Sequence, residues 1–185
     1  MGPDLALAIF GEHTLDPLGL HGIHHWGRVA ENGIRLASHT GANQKVVVCF
    51  ALFHDLKRSN ESLDPAHGAR AAQSVRLVKS RLKLTADEVS LVLEACSGHS
   101  NKVRHSDPTI GTCWDSDRMD LARIGIRPDR SYLSTSPPKP LFDWAVRRAR
   151  RAAKAPFMEE LFGRYLSIAS REKYEPRRSR HLESR

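Results

Sequence analysis

QKVVVCFALFHDLKR (residues 44–58) sets eight apolar residues, 46–53, directly before an adjacent His54-Asp55 pair and two cations. Periodicity cannot decide between a buried strand and a buried helix for such a run. Its length with flanks, about a dozen residues, and the lack of a strand partner elsewhere in the chain decide for a helix over 44–56. Two adjacent polar side chains of metal-ligand type at the end of a buried run are costly to desolvate unless something compensates them, and a bound cation would do so. The stretch therefore predicts an all-α chain with a metal site anchored at His54 and Asp55.

Upstream, Ile23, Trp26, Val29, Ala30, Ile34 and Ala37 recur at spacings of three and four, the pattern of an amphipathic helix over 22–38 that exits at Gly41. A shorter apolar segment, 4–10, predicts a first helix ending at Gly11, followed by a turn at 16–19. Downstream, Asp64 as N-cap and Pro65 in the first turn predict a helix to about Leu82. The sequence TADE, 85–88, is a capping box opening the next helix. A polar loop over 97–107 carries His99 and His105, and a further helix spans 108 to about 123. The breaker cluster STSPPKP, 134–140, places the boundary of the compact core, so residues 1–133 form the helical domain and 134–185 a Pro-rich linker, basic helices over 141–153 and 156–170, and a charged tail. The expected architecture is a bundle of about five core helices plus C-terminal helices.

A chain of 185 residues can bury a substantial core without disulfide staples. Cys49, Cys96 and Cys113 are odd in number and form no C-x-x-C pair, which favours reduced thiols over a disulfide framework or a structural zinc site. No apolar run approaches the roughly 18 residues of a membrane span and the start lacks a basic leader, so the expectation is a soluble, cytoplasmic chain. The net charge of +8 is local: residues 147–185 hold 12 of the 29 Lys/Arg but 5 of the 21 Asp/Glu. Basicity thus belongs to the tail, where RRARR, 147–151, could track the phosphates of a nucleic acid or simply form a solvated helix face.

The ten histidines are distributed unevenly, and with the carboxylates they supply the candidate chemistry. His25, the His54-Asp55 pair and Asp117 rank first; His67, His99 and Asp115 follow. His21 and His24 are register rivals to His25, whereas His13, His39, His105 and His181 are expected at the surface, as are those two rivals if not ligands. Two imidazoles and two carboxylates give a cation a mixed N/O shell suited to Mn, Fe, Co, Ni or Zn, with Mg less natural because it prefers oxygen. Such an ion lowers the pKa of a water and polarises a phosphoryl oxygen, which is the chemistry of hydrolysis.

The order His25, His54-Asp55, Asp117 resembles the H…HD…D signature of the HD superfamily of metal-dependent phosphohydrolases. HWGRV (25–29) is similar to that family's first motif, LFHDLK (52–57) to its second and DSDRMD (115–120) to its last, over roughly residues 21–126. DPAHGAR (64–70) and GTCWDSD (111–117) resemble an uncharacterised bacterial subgroup. The resemblance implies an all-α bundle, a divalent ion on His25, His54, Asp55 and Asp117, and small phosphorylated substrates, nucleotides among them. It selects Asp117 over Asp115 as ligand, leaving either as the group that accepts a proton from water. His67 and His99 would contact phosphate or a second metal, and His67 could also serve catalysis.

One departure bears on substrate. HD nucleotidases often carry a Glu three residues after the HD Asp, and stringent-response hydrolases an acidic pair there; this chain has Arg58 and Ser59, which weakens both assignments. Lys57 and Arg58 could instead clamp phosphate, or serve only as helix-end charges. A metal-dependent phosphohydrolase is the leading expectation; a scaffold binding nucleic acid or protein through the basic segment, or a nuclease, is the alternative. The oligomeric state is open.

Overall fold

The computed structural model describes residues 9, 11–163 and 166, and every regular element among them is helical. In chain order these are α1 (Ile23–Thr40), α2 (Gln44–Phe53), α3 (His67–Val78), α4 (Ala86–Gly98), α5 (Pro108–Arg118), α6 (Lys139–Arg150) and a final helical stretch over 156–163, here α7. The expected first helix, Ile9 excepted, the end of the last helix and the charged tail at 171–185 lie outside the described residues.

The decisive stretch is a helix, and its position explains why periodicity was mute. α2 packs against α1, α3, α4 and α5. It buries Val46, Val47, Cys49, Phe50, Ala51, Leu52 and Phe53, so no polar face remains to create a period. Its start is fixed by Asn43, whose side chain accepts from the N–H groups of Lys45 and Val46. Regular α-helix stops at Phe53 rather than Leu56, although the His54 N–H still donates to Phe50.

α1 runs two residues past the expected end before Gly41, in the left-handed region at φ 72°, donates its N–H to Ala37 and closes the helix. Ile34 falls off the buried stripe and is exposed, while Leu36 is fully buried. The capping box forms as expected: Thr85 Oγ accepts from the Glu88 N–H at 3.2 Å, and Glu88 accepts from the Thr85 N–H at 2.8 Å.

Three further helices differ from expectation at their ends. α3 begins at His67, and Asp64 does not cap it: its Oδ2 accepts from the Ser59 N–H and hydroxyl and from Arg70, bracing the preceding loop. The helix also ends at Val78, with a 3-10 turn over Lys79–Arg81. α4 extends to Gly98 and His99 keeps helical backbone angles, so the loop starts later. α5 stops at Arg118, followed by a 3-10 turn over Leu121–Ile124 that ends at Gly125 with φ 80°.

The chain does not part from the core at the Pro cluster. α6 packs on α1 and on the 121–124 turn, building a second small core of Leu36, Met119, Phe142, Val146 and Ala149. Ala155, Met158 and Phe162 join the main core with Ile23 and Trp26. The three cysteines are buried free thiols; burial pushes Cys49 up to about 12 and the other two well above their ordinary range, so they are inert packing groups. No helix among the described residues is long and apolar enough to cross a membrane.

Candidate metal centre

Five elements converge on one point. α1 contributes His25, the end of α2 contributes His54 and Asp55, the start of α3 His67, the end of α4 His99, and α5 Asp117. Gly68 permits the approach of α3 to α4: a Cβ there would stand 2.5 Å from the Cys96 carbonyl oxygen and 3.2 Å from the His99 ring. That close approach brings the two histidine Nε2 atoms to 2.7 Å.

All four imidazoles are fastened the same way. His54 Nδ1 lies 3.0 Å from the Ala51 carbonyl oxygen, His99 Nδ1 2.7 Å from that of Cys96, and His67 Nδ1 contacts that of Asp64. His25 Nδ1 lies 2.7 Å from Asp120 Oδ2. Carbonyl and carboxylate oxygens only accept, so each Nδ1 carries its proton and each Nε2 is aimed inward. His25 and His54 meet Nε2 to Nε2 at 3.1 Å. Two lone pairs at that distance repel unless a proton or a cation lies beside them, and the donor set fits a metal ion.

The carboxylates complete two groups. His25, His54 and Asp117 form one, and Asp55, His67 and His99 the other, all buried except Asp117, which is partly open. Asp55 links them: Oδ2 stands 3.3 Å from His25 Nε2 and 3.5 Å from His54 Nε2, while Oδ1 stands 3.2 Å from His67 Nε2 and 3.8 Å from His99 Nε2. Asp117 Oδ1 is 3.4 Å from His25 Nε2 and 3.8 Å from His54 Nε2. These buried His and Asp groups could hold one ion in each cluster, with Asp55 serving both.

The electrostatics match. Burial acts to raise the Asp55 and Asp117 pKa values, but the surrounding histidines overcome it and hold both carboxyls well below the usual range, so both are anionic. Burial, only partly offset by Asp55 and Asp117, pulls His54 down to about 3, leaving it neutral, the form in which an imidazole could ligate a metal. Around the centre opens a cavity of about 430 Å³ whose wall includes Asp55, Asp117, Arg58, Arg123, His21 and Leu121. A mostly apolar groove of about 460 Å³ beside α2 contains none of the donors.

All four expected ligands therefore meet, and His67 and His99 meet with them as donors beside Asp55. Arg58 lines the cavity, with Nη1 3.7 Å from Asp55 Oδ1 and the rest of its guanidinium tied to the carbonyls of Asn60 and Ser62. Lys57 does not take part: its ammonium pairs with Glu12. Asp115 does not either. Fully buried, it accepts from the Ser134 and Thr135 N–H groups at 2.8 and 2.7 Å and from the Thr135 hydroxyl, pinning the start of the breaker cluster. Of the histidines expected at the surface, His13 and His21 are buried, and His21 lines the cavity in a contact with Glu61. His24 is no rival ligand, because its Nδ1 accepts from the Ala155 N–H at 3.2 Å.

Sequence reasoning missed Arg28, Asp120 and Arg123. The first two are buried and grip each other, with Arg28 Nε 2.8 Å from Asp120 Oδ1, while Arg123 lines the cavity. Arg28 lies three residues after His25 and Asp120 three after Asp117, the one signal in the chain that they share faces with ligands. Comparison of the chain with protein-family models, with curated proteins and with solved structures finds no match in any of the three.

Proposed function

We propose that the chain is a metal-dependent phosphohydrolase of HD type acting on a small phosphate ester, with nucleotides among the candidates. The observation that carries this reading is the set of four inward Nε2 atoms and two ionised carboxylates grouped as two three-donor clusters about Asp55. Nitrogen and oxygen donors in this ratio suit Mn, Fe, Co, Ni or Zn better than Mg. When bound, a divalent ion supplies Lewis acidity toward water and phosphoryl oxygen.

The chain's own residues supply the rest. Arg58 and Arg123 are fixed cations on the cavity wall, held by backbone carbonyls so that they face an anion without reordering. Asp117, the most open carboxylate of the group, orients a water by accepting its hydrogen bond. A second cavity of about 420 Å³, lined by Lys102, Arg127 and Tyr132, shares His99, Ser100 and Leu121 with the first and gives room for a leaving group. The order of the H…HD…D residues supports the same reading. Binding of nucleic acid by the 147–151 run gains less support, because Arg148 is spent on Glu31 and on the face of Trp144.

Metal content of the purified chain, followed by assay on p-nitrophenyl phosphate, bis(p-nitrophenyl) phosphate and a nucleotide panel with added Mn or Co, tests this directly. Stoichiometric metal and turnover that D55A abolishes are expected. A chain that takes up no divalent ion and stays inert across the panel overturns the proposal.

A further inference from the structure

The metal-facing histidine of α1 is held from behind by a buried chain of charges that ends in the C-terminal segment. Asp120, with no exposed surface, accepts from His25 Nδ1 through Oδ2. Arg28, 4% exposed, donates to the same carboxylate through Nε at 2.8 Å and Nη2 at 3.0 Å. Its remaining arm, Nη1, donates to the Ala153 carbonyl at 2.8 Å. Asp120 is not among the residues lining the cavity, and neither Asp120 nor Arg28 belongs to either donor group.

The contact at Ala153 is no isolated bond. Ala155 donates its N–H to His24, the residue before the ligand. Gly27 leaves no room for a side chain: a Cβ would stand 2.3 Å from Ala155 Cβ and 2.7 Å from Met158 Cγ. Trp26 meets Phe162 edge to face at 6.3 Å. Residues 24, 26, 27 and 28 of α1, on both sides of His25, are thus each met by residues of the 153–162 segment.

Burying a guanidinium and a carboxylate together is a poor way to gain stability, since desolvation offsets most of the attraction. It is an effective way to fix direction, because a forked pair holds a carboxylate in one plane and a hydrogen-bonded imidazole follows it. Arg28 can fork onto Asp120 and still satisfy its last arm only where the Ala153 carbonyl is present.

We infer that Arg28 is a positioning residue for the metal ligand His25, acting through Asp120, and that the 153–155 segment completes the device. The inference rests on the proposed metal centre. Its consequence is that the C-terminal segment sets metal affinity without contributing a ligand.

Titration with Co²⁺, read by visible absorption and by competition with a chelator, tests it on the full chain. R28M, with metal-free melting temperature and circular dichroism checked, is expected to bind Co²⁺ roughly tenfold or more weaker, with an altered ligand-field band, as support removed behind a ligand does elsewhere. R28K restores the charge beside Asp120 but neither the fork nor the reach to Ala153, so it recovers only part of the affinity. If R28M binds Co²⁺ with wild-type affinity and spectrum, the positioning role is overturned. Should R28M fail to fold, R28K decides alone: reduced affinity supports the role and wild-type affinity overturns it. A wild-type chain that takes up no Co²⁺ overturns the metal centre itself, a result distinct from a wild type that binds and variants that match it.

Discussion

His25 is the residue on which folding and the proposed metal uptake would meet. In the metal-free chain, burial and the nearby Arg123 charge act to lower its pKa, but hydrogen bonds to Asp117, Asp120 and Asp55 outweigh them and raise it from 6.5 to about 9. A folded-state pKa above the unfolded one stabilises the metal-free fold fully below pH 6.5, and the contribution is lost as pH rises through about 9. An ion entering on Nε2 must displace that proton, so uptake at neutral pH releases it, and affinity rises with pH about tenfold per unit until His25 deprotonates. Calorimetric titration in two buffers of different ionisation enthalpy measures the released proton, and an affinity flat between pH 6.5 and 8.5 would contradict this. Of these groups, His25, His54, Asp55 and Asp117 were legible in the sequence because ligand types recur there in an order and with flanks that resemble a known signature. Arg28 and Asp120 were not, because a charge on a helix reads as solvated until its partner, 92 residues away, is known. Asp115 misled for the opposite reason: a buried carboxylate so near Asp117 has the right chemistry, but its oxygens are consumed by backbone N–H groups of the next segment.

At the scale of elements, the second donor group depends on how closely α3 and α4 approach. Both histidines sit at helix ends, where the backbone places Nδ1 against a carbonyl three residues earlier. Gly68 sets the spacing, and G68A drives a methyl group against the Cys96 carbonyl. Overpacking of this kind costs about 1–3 kcal/mol. The variant should therefore lose stability by that amount in urea, and if each donor group takes up an ion, as proposed, it should lose uptake at His67 and His99 before uptake at His25 and His54, leaving a metal stoichiometry near half that of wild type. Unchanged stoichiometry would mean that the helices part without moving the donors. T85A serves as the contrast: removing the α4 cap costs about 1 kcal/mol, but the cap lies at the far end of α4 from His99, so metal content should hold. Caps and amphipathic faces were legible because they are local. The Asp64 cap was not what the spacing promised, since Ser59 and Arg70 compete successfully for its carboxylate.

For the molecule as a whole, the question is whether the segment beyond the Pro cluster is an appendage. A run of breakers reads as a linker because each of its residues interrupts regular structure, but interruption says nothing about where the chain goes next. Here the cluster is anchored at Ser134 and Thr135 by Asp115, and the chain returns to lay α6 and α7 over α1. Phe162, with no exposed surface, packs in the same core as Ile23 and Trp26. An appendage could lose that ring at little cost to the bundle, whereas an integral helix could not. F162A should therefore destabilise the whole fold by about 3–5 kcal/mol, the usual cost of deleting a buried phenyl ring. Urea unfolding should remain one transition whether followed by helical circular dichroism or by tryptophan fluorescence, because Trp26 meets the deleted ring edge to face and Trp114, tied to the Ala95 carbonyl, lies in the same core. A cost below about 1 kcal/mol, or an early transition confined to the fluorescence, would make the segment separable. F162A would also loosen the hold of Ala153 on Arg28, so this variant should bind Co²⁺ less tightly even where its helices remain folded.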